Sequence, residues 1–232
     1  MAGGVRKLMD PQVGVHRAFA GDSVPIGSCC RPAADRTRLV AQAADKEVHM
    51  GNWQLDPYHT QVEFSAKHLG MMTVRGHFAE VSAKADIDPD HPETSSVEVT
   101  IQTVSIRTHN ETRDKDLRSS NFLEVDKYPT ITFRSTGVEP AGENRYTLTG
   151  DLTIKGNTRP VSLRVLKYGE FNDPAMMGHR IAYSAEGKIN RKEFGLSFNM
   201  MLDGKFVVSD EIQIMIEGEL VEQKQEAESA ST

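Results

Sequence analysis

The chain is poor in cysteine and aromatics and has no long apolar run, and each shortage removes a class of protein. Its 232 residues include two cysteines and one tryptophan, and aromatics make up only 6%. Cys29 and Cys30 are neighbours, and disulfide geometry strains a peptide between adjacent partners. No other cysteine exists to pair with them, so the remainder of the chain folds without disulfides. That suits a reducing compartment without requiring one. The two thiols read as incidental to a leader, with a redox or lipidation role as the alternative. No stretch approaches the roughly 18 consecutive apolar residues that a membrane-spanning helix needs. The net charge of −6 argues against nucleic acid as the main partner, because phosphate binding needs a basic surface.

What is present points to a packed domain. Hydrophobic residues make up 38% and charged residues 26%, enough apolar material for a core. Residues 1–50 show no period of 2 or 3.6 and carry seven Lys or Arg against five Asp or Glu. They read as a disordered leader, or as a tail added by too early a start codon, since Met50 stands just before the first strand-like segment. Arg6 and Lys7 begin like a secretory signal, but Asp10, Pro11, His16 and Arg17 break the apolar run that must follow. A cytoplasmic location is therefore expected. Residues 51–221 form the domain, and residues 222–232 read as a frayed tail.

Alternation dominates the domain. Val62, Phe64, Ala66 and His68 share one face of a strand, and Gln61, Glu63, Ser65 and Lys67 share the other. The same period of two recurs in 97–101, 131–133, 146–149, 152–154, 161–165 and 212–220. Clean alternation indicates antiparallel strands with one buried face. Turn chemistry separates them at Asp88-Pro89-Asp90, Glu139-Pro140-Ala141-Gly142, Lys155-Gly156-Asn157 and Asn172-Asp173-Pro174. One helix is predicted over residues 110–122, with its N-cap near His109-Asn110, and a short second turn of helix over 190–194. About eight strands at this spacing make a meander that must close or leave a sticky edge. The predicted fold is all-β: a closed eight-stranded antiparallel up-and-down barrel with one or two short helices. Small residues on the inward face (Ala66, Gly76, Ala83, Ala85, Ser135, Gly150, Gly218) are read as the missing volume of a ligand cavity, the alternative being a narrow barrel filled by its own side chains.

A series of strings then stands out in order along the domain. They begin with Trp53-Gln54-Leu55-Asp56-Pro57-Tyr58-His59-Thr60, Phe64-Ser65-Ala66-Lys67-His68-Leu69-Gly70 and Val74-Arg75-Gly76-His77-Phe78. Ser105-Ile106-Arg107-Thr108 follows and leads into Arg113-Asp114-Lys115-Asp116-Leu117-Arg118. Lys127–Ser135, Gly150–Gly156, Ile189–Leu196 and Val208–Glu211 complete the series, and together the strings resemble the YceI-like family of lipocalin-like, polyisoprenoid-binding barrels over about residues 52–221. Asp116 stands where the family's helix usually has histidine, and Phe122-Leu123 replaces a Phe-Phe pair. The resemblance implies non-catalytic binding, storage or transport of a polyisoprenoid, a quinone-like isoprenoid or a fatty chain. It also implies a homodimer as a frequent state.

The candidate ligand-binding residues fall into three groups. Phe64, Phe78, Phe133 and Phe194 are expected to line the interior, as core or as ligand wall. The methionine pairs Met71-Met72, Met176-Met177 and Met200-Met201 lie near loops or strand ends, where a flexible thioether moulds to a chain or fills a gap. Arg75, Arg113 and Arg191 suit an anionic head group, the competing reading being ion pairs of Arg113 with Asp114 and Arg191 with Glu193. His68 falls on the apolar face and reads as a buried histidine, a head-group contact, or the general base of an alternative lipid-acting enzyme. No catalytic residue, cofactor or metal site is predicted: HxH and HExxH are missing, and Gly195-Leu196-Ser197-Phe198 lacks the last glycine of a nucleophile elbow. The acidic turn around Pro89 reads as solvated.

Overall fold

The computed structural model describes residues 51–88, 91–173, 175 and 177–223. The leader with Cys29 and Cys30, the turn residues Pro89, Asp90 and Pro174, the candidate Met176, and the tail beyond Gln223 lie outside the described residues.

The alternating segments become strands β1 (Gly51–Leu55), β2 (Gln61–His68), β3 (Met72–Phe78), β4 (Val81–Ile87), β5 (Ser96–Gln102) and β6 (Ile106–Arg107). After helix α1 (Glu111–Arg118) come β7 (Thr130–Gly142), β8 (Arg145–Ile154), β9 (Asn157–Asp173) and β10 (Gly178–Asn190). A short hairpin, β11 (Met201–Leu202) and β12 (Lys205–Phe206), precedes β13 (Val208–Glu222). Every pairing is antiparallel. β13 pairs β10 along one edge; along its other edge it pairs β2 and then β1. β1 continues to β4, β4 to β5, and β5 through β7, β8 and β9 to β10, which closes the ring. β1 with β2, β3 with β4, and β5 with β6 each act as one strand broken midway, so the closed barrel has eight strand positions, as the alternation predicts.

Side-chain hydrogen bonds hold the breaks in place. At Asp56–Thr60, the Asp56 carboxylate accepts from the Tyr58 amide at 2.9 Å and its carbonyl accepts from Thr60 Oγ1 at 2.7 Å. Gly218 makes room for this fold, since a Cβ there would meet Thr60 Oγ1 at 2.9 Å. At the third break, Thr103 and Ser105 are each 1% exposed, and their hydroxyls donate to the carbonyls of Tyr128 and Gln102.

The turns follow local chemistry, with one displacement. Lys155-Gly156 joins β8 to β9 with both residues at positive φ (49° and 74°), the geometry favoured in two-residue hairpins. The turn predicted at Glu139–Gly142 lies later, at Glu143-Asn144. β7 runs on through Pro140, which stands opposite Tyr146 just before a register irregularity at Gly142 and beyond the part of β7 that pairs β5. The last strand also outlasts its predicted end: Glu222 pairs Trp53. α1 is shorter than expected, and its N-cap is Asn110, whose side chain accepts from the Arg113 amide at 3.0 Å. The predicted second turn is a 3-10 helix over Arg191–Phe194.

Two apolar clusters pack the barrel near its ends. Trp53, Ala85 and Ile181 form the smaller, near the C-terminal end of β13. The larger gathers Ile106, Phe122, Leu123, Ile131, Phe133 and Phe194 with their neighbours, beneath α1.

Candidate functional site

Between the two clusters the inward residues of the strands leave space unfilled. They enclose a cavity of about 1010 Å³, at the upper end of the roughly 300–1,000 Å³ typical of small-molecule pockets. Its wall is mainly aliphatic and aromatic, with Val62, Phe64, Val99, Leu148, Leu163 and Ile214 around the middle. The small residues divide. Ala66, Ala83 and Ala85 lie on the wall and leave space there; Gly218 also borders it, but its missing volume is taken up by Thr60. Gly76 and Gly150 instead sit beneath aromatic rings: a Cβ on Gly76 would strike Phe64 Cζ, and one on Gly150 would strike Phe133. Their missing volume is already filled. Ser135 serves the backbone, accepting from the Val97 amide at 2.9 Å.

At one end the cavity meets solvent between α1, the turn joining β2 to β3, and residues 199–207. The wall residues Lys67, His68, Asn110, Thr112 and Met200 are exposed there. α1 is tied across this end by Asp114, which is 5% exposed and accepts from the amide and hydroxyl of Thr108 at 2.9 and 2.5 Å. Arg113 donates to the Thr108 hydroxyl at 2.8 Å and to its carbonyl at 2.7 Å. The expected Arg113–Asp114 pair is thus replaced by a shared hold on Thr108. Asp116, also on the wall, accepts from Asn121 Nδ2 at 2.8 Å. His68 is exposed at the rim rather than buried. Its Nδ1 lies 3.0 Å from the Val207 carbonyl, so this nitrogen donates and Nε2 remains.

Arg191 is 2% exposed and sits under the same end. It donates to the carbonyls of Leu196, Phe198 (2.9 Å) and Ser209 (3.0 Å) and pairs with Asp210 at 3.2 Å. Asp210, not Glu193, is its acid partner. Burial pulls its guanidinium below the usual range, and Asp210 opposes that. Its donors hold protein groups, so it fixes the loop that borders the mouth.

The opposite end carries polar groups. Lys167, Tyr146 and Tyr183 lie on the wall. Burial, then the Tyr146 and Glu170 charges, push the Tyr183 phenol far up, so it stays a neutral hydroxyl. Beyond it, Glu170 accepts from Lys167 Nζ at 2.6 Å and lies 2.6 Å from His179 Nε2, while His179 Nδ1 lies 2.8 Å from Glu222. Burial pulls the His179 imidazole down, but Glu222 and Glu170 outweigh it and the net shift is upward.

Asp56, His59 and Glu219 place one ligating atom each within 4.8 Å of the others, a spacing suited to a metal. Arg180 Nη1 occupies that role, donating to Asp56 at 2.5 Å and Glu219 at 2.9 Å. This guanidinium, then His59, holds the Asp56 carboxyl well below the usual carboxylate range against its burial.

The predicted residues therefore separate. Phe64, His68, Phe78, Arg113, Phe133, Arg191 and Met200 border the cavity. Phe194 is 1% exposed within the larger cluster. Arg75 is exposed on the outer face, opposite Ser65. Met71, Met72, Met177 and Met201 are exposed and off the cavity wall. Sequence reasoning missed Lys167, Tyr146 and Tyr183, though each sits at an inward position of an alternating strand.

Known proteins share this architecture. The YceI-like domain family matches residues 53–220. Protein YceI of Escherichia coli O17:K52:H18 is 38% identical over 166 residues, which are 72% of this chain and 83% of that protein. Protein YceI of Salmonella arizonae is 37% identical over the same shares. The crystal structure of Burkholderia cenocepacia BcnA matches with a TM-score of 0.63 at 25% identity, covering 71% of this chain and 98% of that one. The Campylobacter jejuni YCEI protein matches at 0.59 and 32% identity, covering 68% and 90%. A polyisoprenoid binding domain from Saccharophagus degradans shares the fold at 0.54 and 14% identity, covering 75% and 99%. With the family match spanning nearly the whole barrel, the chain belongs to the YceI-like family.

Proposed function

We propose that the protein binds and carries one long apolar ligand, of polyisoprenoid or quinone-like isoprenoid type, without transforming it. The observation that carries this reading is the cavity of about 1010 Å³ with its mainly apolar wall, running between a solvent-facing mouth and a polar far end. Each buried methylene contributes about 0.8 kcal/mol, so ten carbons supply roughly 8 kcal/mol, a micromolar driving force before ordering costs. The Saccharophagus degradans domain, described as polyisoprenoid binding, supports the ligand class. Lys167, Tyr146 and Tyr183 offer a hydroxyl, ketone or anionic terminus its partners at the far end, and Asn110 and Thr112 do so at the mouth. Arg113 and Arg191 already spend their donors on the protein.

The test is incubation of delipidated protein with a polyprenyl alcohol, followed by extraction and chromatography. A carrier returns the alcohol unchanged and in molar proportion. A new product would favour an enzyme working at the rim around His68, and no uptake would remove the carrier reading.

A further inference from the structure

Two neighbouring turns project apolar side chains into solvent beside the mouth. The turn Leu69–Met71 between β2 and β3 leaves Met71 60% and Met72 68% exposed. The β11–β12 hairpin turns through Asp203-Gly204, both at positive φ, and leaves Met201 60%, Leu202 53% and Phe206 51% exposed. The two are locked together: the Leu69 amide donates to the Val207 carbonyl at 3.1 Å, and the Val207 amide donates to the Met200 carbonyl at 2.9 Å. Leu69, Met71, Lys205 and Phe206 share a shallow groove between them. Nothing in the interior requires these side chains, and contiguous exposed apolar surface of this kind marks an interaction site.

The setting selects the partner. The chain is acidic overall, yet Lys67, Lys192 and Lys205 flank the two turns. Lys192 Nζ lies 5.5 Å from the centre of the Phe206 ring, so charge and apolar surface adjoin. Asp210 is paired with Arg191 and Lys192; Asp203 stands at the hairpin tip, Glu193 is exposed next to Lys192, and Asp116 lies on the cavity wall. Protruding apolar tips with lysines beside them match the interfacial zone of an anionic bilayer. The patch also runs into the cavity: Met200 and Val207 border both the hairpin and the wall. An apolar chain passing from bilayer to barrel there need not cross water.

We infer that the Leu69–Met72 turn and the β11–β12 hairpin dock the protein on an anionic phospholipid surface, with the cavity mouth facing the membrane. The choice of partner rests on the carrier reading. The experiment is sedimentation of the full chain with phosphatidylcholine vesicles, with and without phosphatidylglycerol, alongside polyprenyl alcohol uptake from dilute ethanol. Wild type sediments with the anionic vesicles. M71S/M201S/L202S, changed off the cavity wall, loses about tenfold or more in partitioning while keeping its uptake from ethanol. K67Q/K205Q loses about thirtyfold on anionic vesicles and changes little on neutral ones. Failure of wild type to sediment, or variants that partition like wild type, overturns the docking surface. So does a wild-type dimer in ultracentrifugation that M71S/M201S/L202S makes monomeric, with no vesicle binding. Vesicle binding without ethanol uptake would sink the carrier reading alone.

Discussion

Replacing Gly76 by alanine tests whether the Phe64 ring is held against the barrel wall by the glycine beneath it. Gly76 on β3 lies opposite Phe64 on β2. A Cβ there would run into Phe64 Cζ, and would stand 2.7 Å from Thr108 Cγ2 and 2.8 Å from the Arg107 carbonyl. The last two belong to the segment pinned by Asp114 and Arg113, so they give little. The ring can give, but only by tilting into the cavity. Overpacking of this kind costs about 1–3 kcal/mol, roughly a 5- to 160-fold change in the folded ratio. Urea unfolding should show a lower midpoint at unchanged slope, and polyprenyl alcohol uptake should fall because the ring enters the ligand's space. Phe64→Leu removes the far ring atoms. In that background the penalty of Gly76→Ala should shrink by about 0.5 kcal/mol or more. An unchanged midpoint for Gly76→Ala, or an equal penalty with and without the ring, would refute the reasoning.

Two pH-dependent predictions concern the ends of β1 and β10. Asp56→Asn should cost about 1–2 kcal/mol, because Arg180 keeps its ion pair with the partly exposed Glu219. The folded-state carboxyl of Asp56 is depressed, so its contribution is present above about pH 4 and fades as pH falls through the lowered value. The variant's acid unfolding limb should accordingly be flatter, and parallel curves would contradict the assignment. His179→Gln works in the opposite sense, since the imidazole between Glu170 and Glu222, with Lys167 and Tyr183 nearby, is raised. Its contribution is complete below about pH 6.5 and is lost as pH climbs past the raised value. The variant should therefore fall furthest behind wild type on the mildly acidic side, as read by thermal unfolding, and a deficit growing toward alkaline pH would contradict this.

Local patterns carried most of the architecture and little of the site. The alternation in β2, β8 and β13 displays which side chains face inward, because the pleat enforces it. Asn110 declares its helix by capping chemistry. The broken strands are less visible, since the interruption at Asp56–Thr60 depends on Gly218, far along the chain, yielding to Thr60. Gly76 and Gly150 look like empty space from composition, yet the rings covering them come from neighbouring strands. Arg191 near Glu193 invites a local ion pair, whereas its partners arrive from Leu196, Phe198, Ser209 and Asp210 through the closing loop. The methionine pairs illustrate the same limit. Sequence marks them as adaptable, but only the hairpin geometry shows Met71 and Met201 pointing away from the cavity.

The claim beneath all of this is that the middle of the barrel is apolar, dry and partly empty, and xenon reports that directly. A crystal of delipidated protein held under xenon gas should show xenon bound within the ring formed by Phe64, Leu148 and Ile214, as apolar cavities bind it. Finding no xenon there, with that region filled by side chains or by ordered water, would contradict the account.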